Sequence, residues 1–402
     1  MARRVLLLSW EYPPVVAGGL GRHVCALAEA LAAAGDTVDV VTRGRDGDPA
    51  SEIRGGLRVH RVAAPPMPHD LDAFLAWVDA LNARMVAAGA ALARPEATDV
   101  VHGHDWLVAA AAAALADRLR APYLTTIHAT EFGRHDGRVA QHPQAHVHAA
   151  ETWMARRADG VIVCSDYMRD QVAEVFGLDG EAVTVIPNGV TRRPPAPARD
   201  LAALRAVHAA PDERLVLLSG RLVHEKGFQV ALTALPAVVR RVGRVRFVVA
   251  GAGPHEAELR AQAGALGLDA HGEFLGWVGD EDLDALYRVA DVCVVPSLYE
   301  PFGLVALEAM AAGCPCVVAD TGGLREIVPD DAGVRVRPRD PRALAEALTL
   351  VLGNPAVRLR LGAAARAHAG TFAWADVARR TGAAYDAPAR PRATGRQAAA
   401  RR

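Results

Sequence analysis

The chain has 402 residues, 51% of them apolar and 23% charged, with a formal net charge of -1. That length exceeds what one core usually organises, so two domains are expected, and the near-neutral balance gives no sign of a polyanion-seeking surface, so no nucleic-acid partner is expected. The apolar run VLLLSW before Glu11 is too short for a secretory leader or a membrane span, and five scattered cysteines (Cys25, Cys164, Cys293, Cys314, Cys316) form no disulfide framework. A reducing cytoplasm is the expected setting, without stable membrane insertion but with peripheral association left open.

In chain order, residues 3–8 (RVLLLS) predict a buried strand, followed by a Gly-bearing loop (VVAGGLGRH), an alanine-rich helix over 22–34 ending at Gly35, and a strand, TVDVVTR. The D-G-D of Asp46 to Asp48 looks like a metal triplet but sits in turn composition between Arg45 and Pro49, so a surface loop is expected. The apolar β-branched runs DVVHGH, YLTTIHA, GVIVCS and AVTVIPN then predict parallel strands buried on both faces. Seven histidines (His102, His104, His128, His135, His142, His146, His148) crowd one stretch, and its H-x-x-x-H-x-H can be drawn as a zinc site. No carboxylate or cysteine completes the set, so a loop running into a helix and serving an acceptor is expected there instead. Residues 191–199 (TRRPPAPAR) carry three prolines and predict a semi-rigid linker.

The chain then starts over. RLVLLS at 214–219 predicts a second first strand, followed by a loop with Gly220 and Gly227, a helix over 228–242 and the strand VRFVVAGAG. Lys226 in that loop is the only lysine beside 44 arginines (45 Lys+Arg in all). A compact ammonium reaches a phosphate end-on where a guanidinium fork does not, so Lys226 is a ligand candidate. In PSLYEPFGLVALEAMAAGCPCVVAD, Glu300 leaves a strand, Phe302 and Gly303 open a helix, and Glu308 lies inside it among apolar neighbours. The free N–H groups at Gly303 and Leu304 suit a diphosphate, and a carboxylate at Glu308 can bridge two vicinal ribose hydroxyls. Cys314 and Cys316 form C-P-C without a second pair, which reads as structural. FAWADVARRTGAAYD at 372–386 predicts an amphipathic helix, and beyond Pro388 five arginines without an acid predict a disordered tail.

The pattern is α/β with two doubly wound domains: an N-terminal domain over 1–190, a C-terminal domain over 191–371, a helix over 372–387 and a tail over 388–402. Ligands on such sheets sit beyond the carboxyl ends of the strands, so domains facing each other across a cleft share one site there.

E-P-F-G-L-V-A-L-E, with SGRLVHEKG and AGAGP before it and SWEYPPVVAGGLGRHV, HGHDWL and TIHATEFGRH in the first half, resembles family 4 of the retaining glycosyltransferases, over residues 3–386. The resemblance implies the GT-B fold, with the C-terminal helix crossing back to the first domain, and is strongest to bacterial glycogen synthases and related actinobacterial α-glucan glucosyltransferases. It implies catalytic roles for His128, Glu300, Arg221, Lys226 and Asp105. Arg221 and Lys226 would hold the donor diphosphate, with Gly18, Gly19, Leu20, Val278, Phe302, Gly303, Leu304 and Glu308 also on the donor. Glu11, Tyr12, His104, Glu131 and Asn188 would serve the acceptor. The chain departs at Ala17, where glycogen synthases carry a lysine, and this keeps a related glucosyltransferase with another acceptor open.

The resemblance implies an enzyme moving a hexose from ADP-glucose or UDP-glucose to an α-glucan or another hydroxyl acceptor. No cofactor is expected and no metal, because fixed positive charge and N–H dipoles can stabilise the departing diphosphate. No residue stands out as a covalent nucleophile. The alternatives are a mannosyl- or other hexosyltransferase using a GDP- or UDP-sugar and a nucleotide-sugar sensor without transfer. A dinucleotide-dependent oxidoreductase lacks support, since AGAGP has no third glycine or ribose-binding acid at the expected spacing. Oligomeric state is not readable from the sequence.

Overall fold

The computed structural model describes residues 2–16, 18–68, 70–92, 97–191 and 200–387. Ala17, nearly all of the expected linker (192–199) and the basic tail (388–402) lie outside the described residues. The chain divides into two compact units, one of Met1–Gly189 with Trp374–Arg402, the other of Val190–Ala373.

The first unit is built on eight strands: β1 (Arg4–Ser9), β2 (Thr37–Gly44), β3 (Ser51–Arg54), β4 (Leu57–Ala63), β5 (Val100–His104), β6 (Tyr123–Ile127), β7 (Gly160–Val163) and β8 (Val183–Val185). Their order in the sheet is β3-β4-β2-β1-β5-β6-β7-β8. Only β3 runs antiparallel, against β4. Strands β1, β5 and β6 have nearly every residue buried, as a parallel sheet covered on both faces requires, with histidines in β5 and threonines in β6 among the apolar residues. The β3–β4 hairpin escapes the sequence reading because β4 alternates apolar with His60, Arg58 and other polar residues and offers no apolar run.

The second unit carries β9 (Arg214–Ser219), β10 (Val245–Ala250), β11 (Gly272–Gly276), β12 (Val292–Val295), β13 (Cys316–Ala319) and β14 (Gly333–Val336), in the order β11-β10-β9-β12-β13-β14. Every pair is parallel. The strand order reverses beside β1 in the first unit, where β2 and β5 flank it, and beside β9 in the second, where β10 and β12 flank it. Each reversal leaves a crevice at the carboxyl ends of the strands, which is where a ligand fits such a sheet.

Two segments refine the expectations. The first helix spans Gly19–Ala33, so the predicted Gly-bearing loop is in part its first turn. Gly21 is there for close packing: a Cβ would lie 3.1 Å from Glu11 Cβ. The last helix, Trp374–Asp386, returns to the first unit and buries Val377, Ala378 and Tyr385 in its core beside Val24, Leu27 and Leu31. Arg3 Nε donates to Asp386 (2.9 Å) and Arg380 donates to the Val185 carbonyl (2.7 Å), fixing it at its last residue and its middle. No described helix is long and apolar enough to cross a membrane.

Candidate active site

In the second unit the chemistry collects beyond β9 and β12. After β9 the chain turns through Gly220, Arg221 and the short turn His224–Lys226 to Gly227. Gly227 has φ +72°, and a Cβ there would stand 1.9 Å from the Pro296 carbonyl oxygen. Glycine therefore lets this turn pack on the segment leaving β12, where Leu298 N–H donates to the Glu225 carbonyl (2.8 Å). The consequence is a defined pair: Lys226 Nζ donates to Glu300 Oε2 at 2.8 Å, and Ser297 Oγ donates to the same oxygen at 2.9 Å. Glu300 is buried and Lys226 partly so, a setting in which charge–charge contacts are stronger than at an open surface.

Gly303, at φ +112°, precedes the Leu304–Ala312 helix, and among the described residues no side chain caps its first N–H groups. A Cβ on Gly303 would sit 2.6 Å from Leu324, so this entry admits only glycine. Phe302 is buried beneath it and packs edge-on against Phe372. Glu308 lies in the second turn, half-buried, with the Tyr287 hydroxyl 3.4 Å from its carboxylate. Arg221 is exposed and makes no ion pair among the described residues, while Val278 is half-buried beside the exposed Trp277. Arg221 thus offers a cation that is still uncommitted, alongside one already paired.

In the first unit the corresponding groups lie beyond β1, β5 and β6. Glu11 is buried, and its carboxylate accepts from the Gly18 N–H (3.2 Å), which anchors the start of the helix bearing Gly19 and Leu20. Tyr12 packs in the core of this unit. Asp105, at the end of β5, has φ 61° and ψ 171°, a conformation sparsely populated by any residue but glycine. It is held there by its own N–H to Thr126 O (3.0 Å) and by accepting from the His128 N–H (2.8 Å). Burial pushes the Asp105 carboxyl up to about 6, against that hydrogen bond.

His104 Nδ1 lies 3.1 Å from His128 Nε2, and His23 packs edge-on to His128 with ring centres 4.7 Å apart. Burial lowers all of these imidazoles: His128 to about 3, with Arg134 adding to the effect, and His23 and His104 well below the ordinary value, with neighbouring imidazoles adding to it. Behind them His102, also lowered to about 3 by burial, bridges the Tyr385 hydroxyl (2.8 Å) and Thr126 Oγ1 (2.7 Å). At neutral pH these rings are uncharged, so each can offer one N–H and one acceptor nitrogen. Asn188 is buried with its side chain against His23, where its amide oxygen opposes the lowering of that ring.

Glu131 opens the Glu131–Arg134 helix and takes His135 Nε2 at 3.0 Å, while its own N–H donates to both oxygens of Glu151 at 2.9 Å. Burial raises Glu151 to about 8.

The first unit thus brings together His104, Asp105 and His128, and the second brings together Lys226, Glu300 and the helix start at Gly303. Of the histidine stretch, His102, His104 and His128 converge, whereas the H-x-x-x-H-x-H part and its neighbour do not join them: His135 bonds Glu131, His142 bonds Asp72 and His148 packs on Phe176. Asp48 in the D-G-D instead closes a turn by accepting from the Arg45 N–H (2.7 Å). Among the described residues the group with ligand spacing for a metal is His23, His104 and His128. His23 and Glu151 were not singled out from sequence. His23 stood in the Gly-rich motif read as a loop. Glu151 could have been found, because Val147 and Met154 at i−4 and i+3 mark its helix face as buried.

The profile of the glycosyl transferases group 1 matches residues 202–368, and that of glycosyltransferase family 4 matches residues 17–193. A glycogen synthase of Mycobacterium tuberculosis is 42% identical over 398 residues, covering 95% of this chain and 94% of that protein. A D-inositol 3-phosphate glycosyltransferase of Kineococcus radiotolerans is 33% identical, covering 98% of each. Among solved structures, a sucrose-phosphate synthase from Thermosynechococcus elongatus superposes with TM-score 0.80 at 28% identity, covering 96% of this chain and 98% of that one. The chain belongs to family 4 of the glycosyltransferases, and is a nucleotide-sugar-dependent glycosyltransferase of the GT-B fold.

Proposed function

We propose that the chain moves glucose from ADP-glucose or UDP-glucose to the hydroxyl of an α-glucan, with retention of configuration and without a metal ion. The observation that carries this reading is the Lys226–Glu300 pair beside the uncapped helix start at Gly303. It sets a cation, a hydroxyl-binding carboxylate and free N–H groups within one loop cluster. The glycogen synthase relative, similar along nearly the whole chain, supports the choice of sugar and acceptor.

In this reading the donor diphosphate takes the charge of Arg221 and Lys226 and the N–H groups of Gly303 and Leu304. Arriving phosphate competes with Glu300 for Lys226, which frees the carboxylate for the sugar hydroxyls. Negative charge building on the departing diphosphate then meets positive charge already in place, and that lowers the barrier. Glu308 takes the ribose hydroxyls. His128 and Asp105 act on the donor sugar, and Glu131 and Asn188 on the acceptor. The acceptor hydroxyl attacks from the face that the diphosphate leaves, and a phosphate oxygen takes its proton.

A second reading replaces the glucan with a small phosphorylated polyol, as the inositol-phosphate relative and the alanine at position 17 suggest. Mass analysis of products formed from each donor, with malto-oligosaccharides or inositol phosphate offered together, separates the two. The glucan reading predicts oligosaccharides one hexose longer. A hexosylated inositol phosphate with unchanged oligosaccharides selects the second reading.

A further inference from the structure

The first unit holds three imidazoles from three separate elements: His23 from the Gly19–Ala33 helix, His104 from the end of β5, and His128 just beyond β6. One ring nitrogen from each can be chosen so that all lie within 4.8 Å of one another. His104 Nδ1 and His128 Nε2, at 3.1 Å, are already close to the roughly 3.3 Å that separates two nitrogens bound to tetrahedral zinc at about 2.0–2.1 Å. The ring centre of His23 lies 4.7 Å from that of His128 and 5.5 Å from that of His104, so a small rotation of His23 closes the remaining two edges.

A second observation is independent of this spacing. His23 is 5% exposed, and neither of its ring nitrogens meets hydrogen-bond geometry with a described residue, the polar amide beside it being that of Asn188. Buried polar atoms are nearly always satisfied, and a group left unsatisfied calls for a ligand or another explanation. Trp374 packs edge-on to His23 at 5.4 Å, whereas His128 is only half-buried and leaves an approach for an ion. Three neutral nitrogen donors with a fourth position open are a ligand set for zinc and similar borderline dications, and a poor one for magnesium or calcium, which take oxygen ligands.

We propose that His23, His104 and His128 form a binding site for a transition-metal dication, with zinc as the probe, and that a bound ion withdraws His128 from substrate and so halts transfer. The second half rests on the role given to His128 above. The site is inhibitory and not catalytic: transfer needs the metal-free imidazole.

The test is calorimetric titration of the chelator-treated full chain with zinc chloride, followed by the same titration of nucleoside diphosphate release. One equivalent is expected to bind, with loss of transfer tracking occupancy. His23→Leu should weaken binding by at least the about 10–100-fold that changes around metal ligands produce, and should shift inhibition equally. Imidazole NMR signals of the unaltered chain need no variant: those of His23, His104 and His128 should move together on zinc addition. Absence of binding, unmoved signals from these three rings, or unchanged affinity in a folded His23→Leu chain overturns the site. Full occupancy with undiminished transfer overturns the withdrawal of His128. Absence of transfer in the metal-free chain contradicts the proposed function, and the binding arm then decides the metal site alone.

Discussion

Lys226 is held at 2.8 Å from Glu300, so removing its charge leaves a buried carboxylate without its cation as well as a diphosphate without one of its contacts. Lys226→Ala is therefore expected to lower turnover by about 100-fold or more, corresponding to about 2–4 kcal/mol of transition-state stabilisation. Steady-state diphosphate release, with circular dichroism to check the fold, measures this; near-normal turnover would take Lys226 out of the site. Lys226 was legible because one lysine among arginines marks itself, and Glu300, Gly303 and Glu308 because a short segment carries all three. His23 was not legible, because its partners His104 and His128 lie far along the chain and meet it only through the order of β1, β5 and β6. Tyr12, which its motif assigned to the acceptor, is buried in the first unit's core, a placement that the motif alone did not show.

The short Glu131–Arg134 helix is braced from below, since Glu151 accepts its first N–H with both carboxylate oxygens. Burial raises Glu151 to about 8 from an ordinary 4.5, so across that window the folded chain keeps a proton that the unfolded chain has lost. Stability must then fall as pH rises from about 4.5 to about 8 and level off above. Glu151→Gln removes this dependence while keeping an oxygen for the Glu131 N–H. The expected outcome is a melting temperature that declines across the window more steeply in the unaltered chain than in the variant. Parallel pH profiles would contradict the assignment. At this scale the apolar strands were readable, because burial on both faces leaves a nearly unbroken apolar run. The β3–β4 hairpin and the true start of the first helix were not, since one is a partly exposed edge of mixed polarity and the other uses glycine for contact.

At the scale of the whole chain, two sheets each reverse their strand order beside their first strand, and the final helix returns to pack in the first unit's core. The repeated opening, RVLLLS and then RLVLLS, made the two sheets legible. Contacts such as Tyr385 to His102 were not, because they join residues 283 positions apart. The central claim is that protein groups alone, namely Arg221, Lys226 and the N–H groups at Gly303 and Leu304, supply the positive charge for departure of the diphosphate. The most direct measurement is nucleoside diphosphate release from ADP-glucose and UDP-glucose, with malto-oligosaccharide present, in excess EDTA. The account predicts release at the rate seen without chelator. Loss of release in EDTA that magnesium or manganese restores would contradict it.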